Sequence, residues 1–514
     1  MRKGLTDRIL RGTAGTIMRQ LINVFGQLVL LPIYLKYWGS ELFGEWQILS
    51  AAVAYVGLLD FGMQTFAVNR MNQSYSRGDI PEFTRVFHTA LYFSLVITGL
   101  GALLFGIGIL GVPVSQWFHL AQMDSGTGRL VLLILCFQFA TSLPSGVIGG
   151  VYRAIGEYSR DIFFQNIFRA LVLGATAVLL ISGAGVLVIA LTQLSGLVGH
   201  VLFVQWDLRR RHPEVRIGLS GHDRKLFMTF IAPSSLFFLM QMSVALTLQG
   251  TTLLIGAFAG GAMVAVFIAL RALANVVPQV AQAVGATLWP ELTALEARQE
   301  YTRLRDAYIF ASKLLLGFAV ASGIFLLFSA RDIVAWWTGG RIEFNESIMG
   351  ALIAIQVCQT WYLASSVLLA SSNNHKRLAA ANLTCAATGL GIAGLIGWQS
   401  GPSFLLWGLV VAELAIPCWF VPYVACRLIK QDLGAYVRDV LGKGFVFGSL
   451  VYLVTLAVTR LPLSPGSIER IASVGAAIGI AAVAALFLFW LNRQQRQWAM
   501  SVLRIPSWVP VLSR

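Results

Sequence analysis

Apolar residues fill this chain in long blocks, and polar positions gather in short segments between them. A helix needs about 20 apolar residues to cross a bilayer. Fourteen stretches reach that length: 15–38, 42–66, 86–111, 129–150, 162–182, 185–205, 226–250, 258–288, 308–330, 347–370, 378–397, 403–425, 444–460 and 469–491. The connections stay below about 25 residues, too short for a soluble domain. The pattern predicts an all-α polytopic membrane protein. It has about 14 transmembrane helices.

The longest basic connection, 206–225, carries Arg209, Arg210, Arg211, Arg216 and Arg224. It reads as a cytoplasmic linker between an N-terminal lobe of six spans (1–205) and a C-terminal lobe (226–425). Residues 426–514 add two spans and a cytoplasmic tail. Sliding the chain on itself by 221 residues lays Pro32–Gly39 over Leu253–Gly260. Both segments read as long helix, glycine turn, long helix, an internal repeat of the kind common in secondary transporters. Pro32, Pro144, Pro233, Pro278, Pro417 and Pro422 predict kinks. The stretch 427–443 and the tail beyond Asn492 mix basic and apolar residues, as interfacial helices do. The N-terminal segment lacks a small-residue cleavage site and reads as retained.

Composition agrees: the 514 residues are 57% hydrophobic and 12% charged, with a mean hydropathy of +0.73. That excludes an ordinary cytosolic protein and a disordered one. The net charge of +15 suggests nucleic acid in a soluble protein. Here topology explains it. With a cytoplasmic N-terminus, 28 of the 38 Lys and Arg fall on the cytoplasmic side and six in outer loops, as the positive-inside rule requires. Both termini are then cytoplasmic, and no nucleic-acid partner is implied. Trp38, Trp117, Trp336, Trp337 and Trp398 read as an interfacial aromatic belt. The five cysteines show no disulfide or zinc spacing.

Neither a metal centre nor ATP hydrolysis is expected, because the histidines are scattered and no Walker A motif occurs. No cofactor is implied. Gly389-Leu-Gly391-Ile-Ala-Gly394 lies in an apolar helix and reads as helix packing. Charge within the apolar blocks is more informative, because lipid makes it costly. The basic residues there are Arg19, Arg169, Arg271 and Lys313, and the acidic ones Asp60 and Glu413. Arg271, Asn275, Gln279 and Gln282 follow at intervals of 4, 4 and 3, which places them on one helix face. Arg19, Asn23 and Gln27 repeat the spacing on the first span. Such stripes face a solvated cavity, or else hydrogen bonds that hold helices together. Gln138, Asn166, Gln193, Gln241, Gln356 and Gln359 are candidates for the same lining. Guanidinium binds phosphate bidentately, and amides match sugar hydroxyls. A phosphate-bearing glycan therefore fits Arg19, Asn23, Gln27, Arg169, Arg271, Asn275, Gln279 and Lys313. Asp60 and Glu413 are candidates for H⁺ or Na⁺ coupling, or for structural ion pairs.

The first quarter carries Leu31-Pro-Ile-Tyr-Leu-Lys-Tyr-Trp-Gly39, Leu42-Phe-Gly44-Glu-Trp46, Leu59-Asp60-Phe-Gly62-Met, Asn69-Arg70 and Arg77-Gly-Asp79. Gly150-Val-Tyr-Arg153-Ala-Ile-Gly156 and Gln165-Asn166 follow. With the span count, these resemble the Wzx-type flippases of the polysaccharide transporter branch of the multidrug/oligosaccharidyl-lipid/polysaccharide (MOP) superfamily. The resemblance implies an all-α bundle of two pseudo-symmetric lobes around a central cavity, working by alternating access. It implies movement of an undecaprenyl-pyrophosphate-linked oligosaccharide, such as O-antigen for lipopolysaccharide, across the bacterial cytoplasmic (inner) membrane. Partners would be the phospholipid bilayer, a glycan polymerase and glycosyltransferases. Arg19 and Arg271 match the cationic theme of related lipid II flippases; Arg169 and Lys313 rest on this sequence alone. Two alternatives stand beside this reading. A cation-coupled multidrug exporter would need an essential acid. A membrane glycosyltransferase or polymerase would need catalytic residues in a sizeable outer loop. The largest outer loops hold only Asp124, Asp332, Glu343 and Glu346 as acids, so no enzyme is expected.

Overall fold

Capping side chains set where many helices begin. Asp79, Asp124, Asp223, Asn345, Asp432 and Ser467 each accept from a backbone N–H two or three residues on. This satisfies donors that a first turn leaves open. The computed structural model describes residues 2–496, apart from 61, 214, 216, 373, 374, 461–466 and 494. The tail beyond 496 therefore lies outside the described residues.

The chain forms two units, Met1–Ala265 and Val266–Arg514. The first contains α1 (Arg2–Tyr37), α2 (Gly39–Ala54), α3 (Met63–Ser76), α4 (Ile80–Leu110), the single turn α5 (Val114–Trp117), α6 (Ser125–Ala154), α7 (Tyr158–Ile181), α8 (Val186–Arg211), α9 (Arg224–Ala245) and part of α10 (Thr251–Ala274). Phe83, Phe87, Val147, Tyr152, Val204 and Phe230 are core residues, from α4, α6, α8 and α9. A polar knot ties α6, α7 and α8: Asp207 accepts from Tyr152 Oη at 2.5 Å and from Arg160 Nε and Nη2 at 2.9 and 2.6 Å.

The second unit continues with α11 (Val276–Ala297), α12 (Tyr301–Thr338), α13 (Glu346–Trp361), α14 (Leu363–Ser371), α15 (His375–Ser400), α16 (Leu406–Ala415), α17 (Pro417–Leu428), α18 (Leu433–Val437), α19 (Lys443–Thr459) and α20 (Ile468–Ala485). Its core stacks Tyr308 on Tyr436 and Trp361 on Tyr436. Gly389 packs against Leu409 and Ala412, the role read for that glycine cluster, whereas a Cβ on Gly391 or Gly394 would meet nothing within 4 Å. All five cysteines are free and buried.

Among the described residues, twelve helices are long and apolar enough to span a membrane, or thirteen if the bent pair Gly39–Leu58 and Met63–Ser76 is one span. The protein is thus an all-α, multi-pass membrane protein. The count of twelve takes 238–285 as one 48-residue helix, which at 1.5 Å per residue is about 72 Å long, over twice a hydrocarbon core. The chain reverses within it. Gly260 has φ 72° and ψ −169°. A Cβ on Gly256 would lie 3.6 Å from Val264 Cγ2, whereas eight residues of straight helix rise about 12 Å. Counted as two spans, this segment brings the total to the fourteen read from the sequence.

Gly39, which the 221-residue shift lays over Gly260, also has positive φ, 77°. The two glycine turns meet inside the first unit. The Glu41 carboxylate accepts from the backbone N–H of Gly261 and Ala262 at 3.0 and 3.2 Å. Gly44 lies so close to Gly261 that an added Cβ would fall 1.7 Å from its carbonyl oxygen. These contacts hold the start of α10 in the first unit. The second span, read as continuous over 42–66, is broken. A 3₁₀ turn at Tyr55–Asp60 and Gly62 at φ 73° separate α2 from α3. Pro417 likewise opens a new helix within the stretch 403–425.

Candidate functional site

Three helices of the first unit present polar side chains at helical spacing toward one space. On α6 these are Gln138, Ser142, Ser145 and Arg153, with Gly149 on the same face; on α7, Asp161, Gln165 and Arg169; on α8, Gln193 and His200. Intervals of three, four or seven residues place each set on a single helix face. With Arg19 from α1 and Gln64 from α3 they line a cavity of about 650 Å³. Phe139, Phe168 and Tyr158 add aromatic surface. Glycines make the room. A Cβ on Gly149 would lie 2.9 Å from Asp161 Oδ1, and one on Gly146 would overlap the Gln64 amide.

The lining is cationic and incompletely bonded. Among the described lining residues, three arginines face one carboxylate, Asp161. Gln138 Oε1, Arg153 Nε, Asp161 Oδ1 and His200 Nε2 are buried without a hydrogen-bond partner. Buried polar atoms normally have partners, so this wall is chemically prepared for a polar ligand with anionic character. A larger groove of about 920 Å³ in the second unit is apolar, lined by Leu316, Val320, Ile324, Phe445 and Leu453 among others.

The sequence-read candidates divide between different environments. Arg19, Arg169, Gln138 and Gln193 share the cavity. Among the described lining residues α1 contributes Arg19 without Asn23 or Gln27; Gln27 is exposed. Asn166 instead ties helices together, its amide donating to Gly15 O at 3.0 Å. In the second unit Arg271 lies over the Phe267 ring at 4.8 Å. The stripe below it survives a helix break at Asn275. The N–H of Asn275 still reaches Arg271 O at 2.9 Å, and that of Gln279 reaches Asn275 O at 3.2 Å. Arg271, Asn275 and Gln279 therefore keep one face.

Lys313 is buried in an ion pair with Asp439 at 2.8 Å and donates to Trp490 O at 3.2 Å. Its charge is committed to joining α12 to the segment before α19. Glu413 is buried on α16 and accepts from Gln359 Nε2 at 2.8 Å and Tyr362 Oη at 3.0 Å. The side chain of Asp60 lies outside the described residues. Sequence reading missed Gln64, Arg153, Asp161, Gln165 and His200 in the cavity. The available signal is the run of spaced polar positions on α6 and α7, which on α6 continues to Arg153, a charge that the positive-inside rule also explains.

No family model and no curated protein matches the sequence. Solved structures do. An inward-facing multidrug resistance MATE family transporter of the MOP superfamily aligns at a TM-score of 0.66 and 16% identity, over 79% of this chain and 94% of that one. The lipid II flippase MurJ, inward closed, aligns at a TM-score of 0.68 and 12% identity, over 93% of this chain and 98% of that one. An outward-facing MATE transporter aligns at 0.55 and 14%, over 82% and 94%. The fold is the one these solved structures share. These neighbours are transporters and a flippase, and their identities are low enough that the likeness speaks for the fold alone.

Proposed function

We propose that the chain is a flippase that moves a polyprenyl-pyrophosphate-linked oligosaccharide from the inner to the outer leaflet of a bacterial inner membrane by alternating access. The observation that carries this reading is the cavity of the first unit. It offers three guanidiniums, four glutamine amides, aromatic surface and buried polar atoms without partners. Arg19 and Arg169 would bind the pyrophosphate as fixed positive charges. Gln64, Gln138, Gln165 and Gln193 would bind sugar hydroxyls, while the lipid tail stays in the bilayer. Arg271 with Asn275 and Gln279 offers the same chemistry on the second unit. Glycosyltransferases and a polymerase would supply and consume the glycan.

The test is flipping of a labelled lipid-linked sugar in reconstituted vesicles. Arg19→Ala with Arg169→Ala is expected to reduce the rate at least about tenfold, in line with loss of charge-assisted bonds to phosphate, with protein level unchanged. A full rate in that variant overturns the assignment.

One observation favours a second reading, a cation-coupled multidrug exporter. Among the described residues, buried Glu413 accepts hydrogen bonds from two neutral groups, Gln359 and Tyr362, an arrangement suited to exchanging a proton. On that reading Glu413→Gln abolishes drug efflux, whereas the arginine variant leaves it intact.

A further inference from the structure

The cavity of the first unit contains one group that opposes anion binding. Asp161 is 1% exposed and is the one carboxylate among the described lining residues, beside Arg19, Arg153 and Arg169. Its hold on Arg153 is loose. Nε and Oδ2 stand 3.9 Å apart, against about 2.7–2.9 Å for a charge-assisted hydrogen bond. Neither Arg153 Nε nor Asp161 Oδ1 has a hydrogen-bond partner. The same unit shows what a committed pair looks like: Arg160 grips Asp207 at 2.6 and 2.9 Å, and Tyr152 adds a third bond. Gly149 stands opposite Asp161, where a Cβ would come within 2.9 Å of Oδ1.

We infer that Asp161 is a resident counter-anion, which balances the cavity arginines in the absence of substrate and whose protonation sets how tightly the cavity holds an anion. The inference rests on the proposed function and adds a specificity-determining residue to that site. With Asp161 ionised, three cations against one anion leave a surplus of two positive charges, a match for a doubly anionic pyrophosphate diester. With Asp161 protonated the surplus is three, and the anion is held more tightly. The charged and titratable groups that share this lining with Asp161 are Arg19 on α1, Arg153 on α6, Tyr158 and Arg169 on α7, and His200 on α8. The arginines keep their charge throughout. On acidification, Asp161 and His200 are the lining groups that can take up a proton. A proton on either one favours anion binding, so His200 must be silenced to isolate Asp161.

The experiment measures binding of a short-chain prenyl pyrophosphoryl sugar, whose diester charge is fixed over this range, to the full chain in lipid nanodiscs. In a His200→Gln background, affinity is expected to rise by about tenfold or more from about pH 8 to about pH 5, the scale of one nearby unit charge at a partly screened site. Adding Asp161→Asn should give the tight affinity already at about pH 8 and flatten the pH response. Weaker or unchanged binding by the doubly substituted protein at high pH overturns the inference and leaves the cavity assignment standing. If that protein does not fold, the His200→Gln protein decides alone: a pH-dependent rise supports the inference and a flat response overturns it. No binding at any pH by the unaltered protein overturns the cavity assignment, and the inference with it.

Discussion

A charge inside an apolar span is defined by what it meets. Lys313 and Arg19 look alike in the sequence, as cations near the ends of apolar blocks. The fold separates them. Lys313 is buried against Asp439 and Trp490 O, while Arg19 lines a cavity. Lys313→Met should therefore act on stability. Removing one partner of a buried pair costs about 3–5 kcal/mol. The cost here is expected nearer about 1–3 kcal/mol, because Asp439 is partly exposed and keeps Lys443 at 2.5 Å. Thermal unfolding of the purified protein checks this. Adding Asp439→Asn should restore part of the loss, whereas a purely substrate-binding lysine would show no such rescue. The same distinction explains what was illegible. Arg153 and Asp161 sit at helix ends, where charge serves topology and ligand binding alike, and one dimension does not tell the two apart.

At the scale of helices, glycine positions decide which elements can touch. The helix–glycine–helix pattern was legible at Gly39 and Gly260 because long apolar blocks flank a residue able to reverse the chain. The contact between the two turns was not, since it depends on Glu41 and Gly44 meeting Gly261 in space. Gly44→Ala places a methyl group into a backbone carbonyl that has no room to yield. Its expected cost exceeds the typical overpacking penalty of about 1–3 kcal/mol. Gly260→Ala fails for a different reason, since φ 72° with ψ −169° lies in a region that costs a side chain about 1–3 kcal/mol. Gly78→Ala is the comparison: φ is again positive but nothing lies within 4 Å, so about 1–2 kcal/mol is expected. The order Gly44, Gly260, Gly78 in loss of melting temperature is the outcome to measure. The broken second span escaped sequence reading because hydropathy counts apolar residues and does not register backbone turns such as that at Gly62.

For the molecule as a whole, the number of spans and the placement of its charges agree. Length and hydropathy give the helices, because lipid leaves a backbone no other way to satisfy its hydrogen bonds. The concentration of Lys and Arg in alternate connections predicts cytoplasmic termini. The expected outcome is asymmetric labelling. A cysteine at Gly183, in an exposed turn, should react with an impermeant maleimide added outside intact cells. One at Gly78, at an exposed turn between α3 and α4, should react only after the cells are opened. The native cysteines are buried and give a low background. The reverse pattern would invert the topology.

The turn at Gly260 has a practical consequence. Two crossings are joined there with almost no chain outside regular helix, and the Glu41 carboxylate already occupies the amides that open the returning helix. A protease finds no loop to cut at this position, and an inserted epitope has no slack to occupy. A binder raised against this end of the protein must grasp other segments, such as the turn at Gly183.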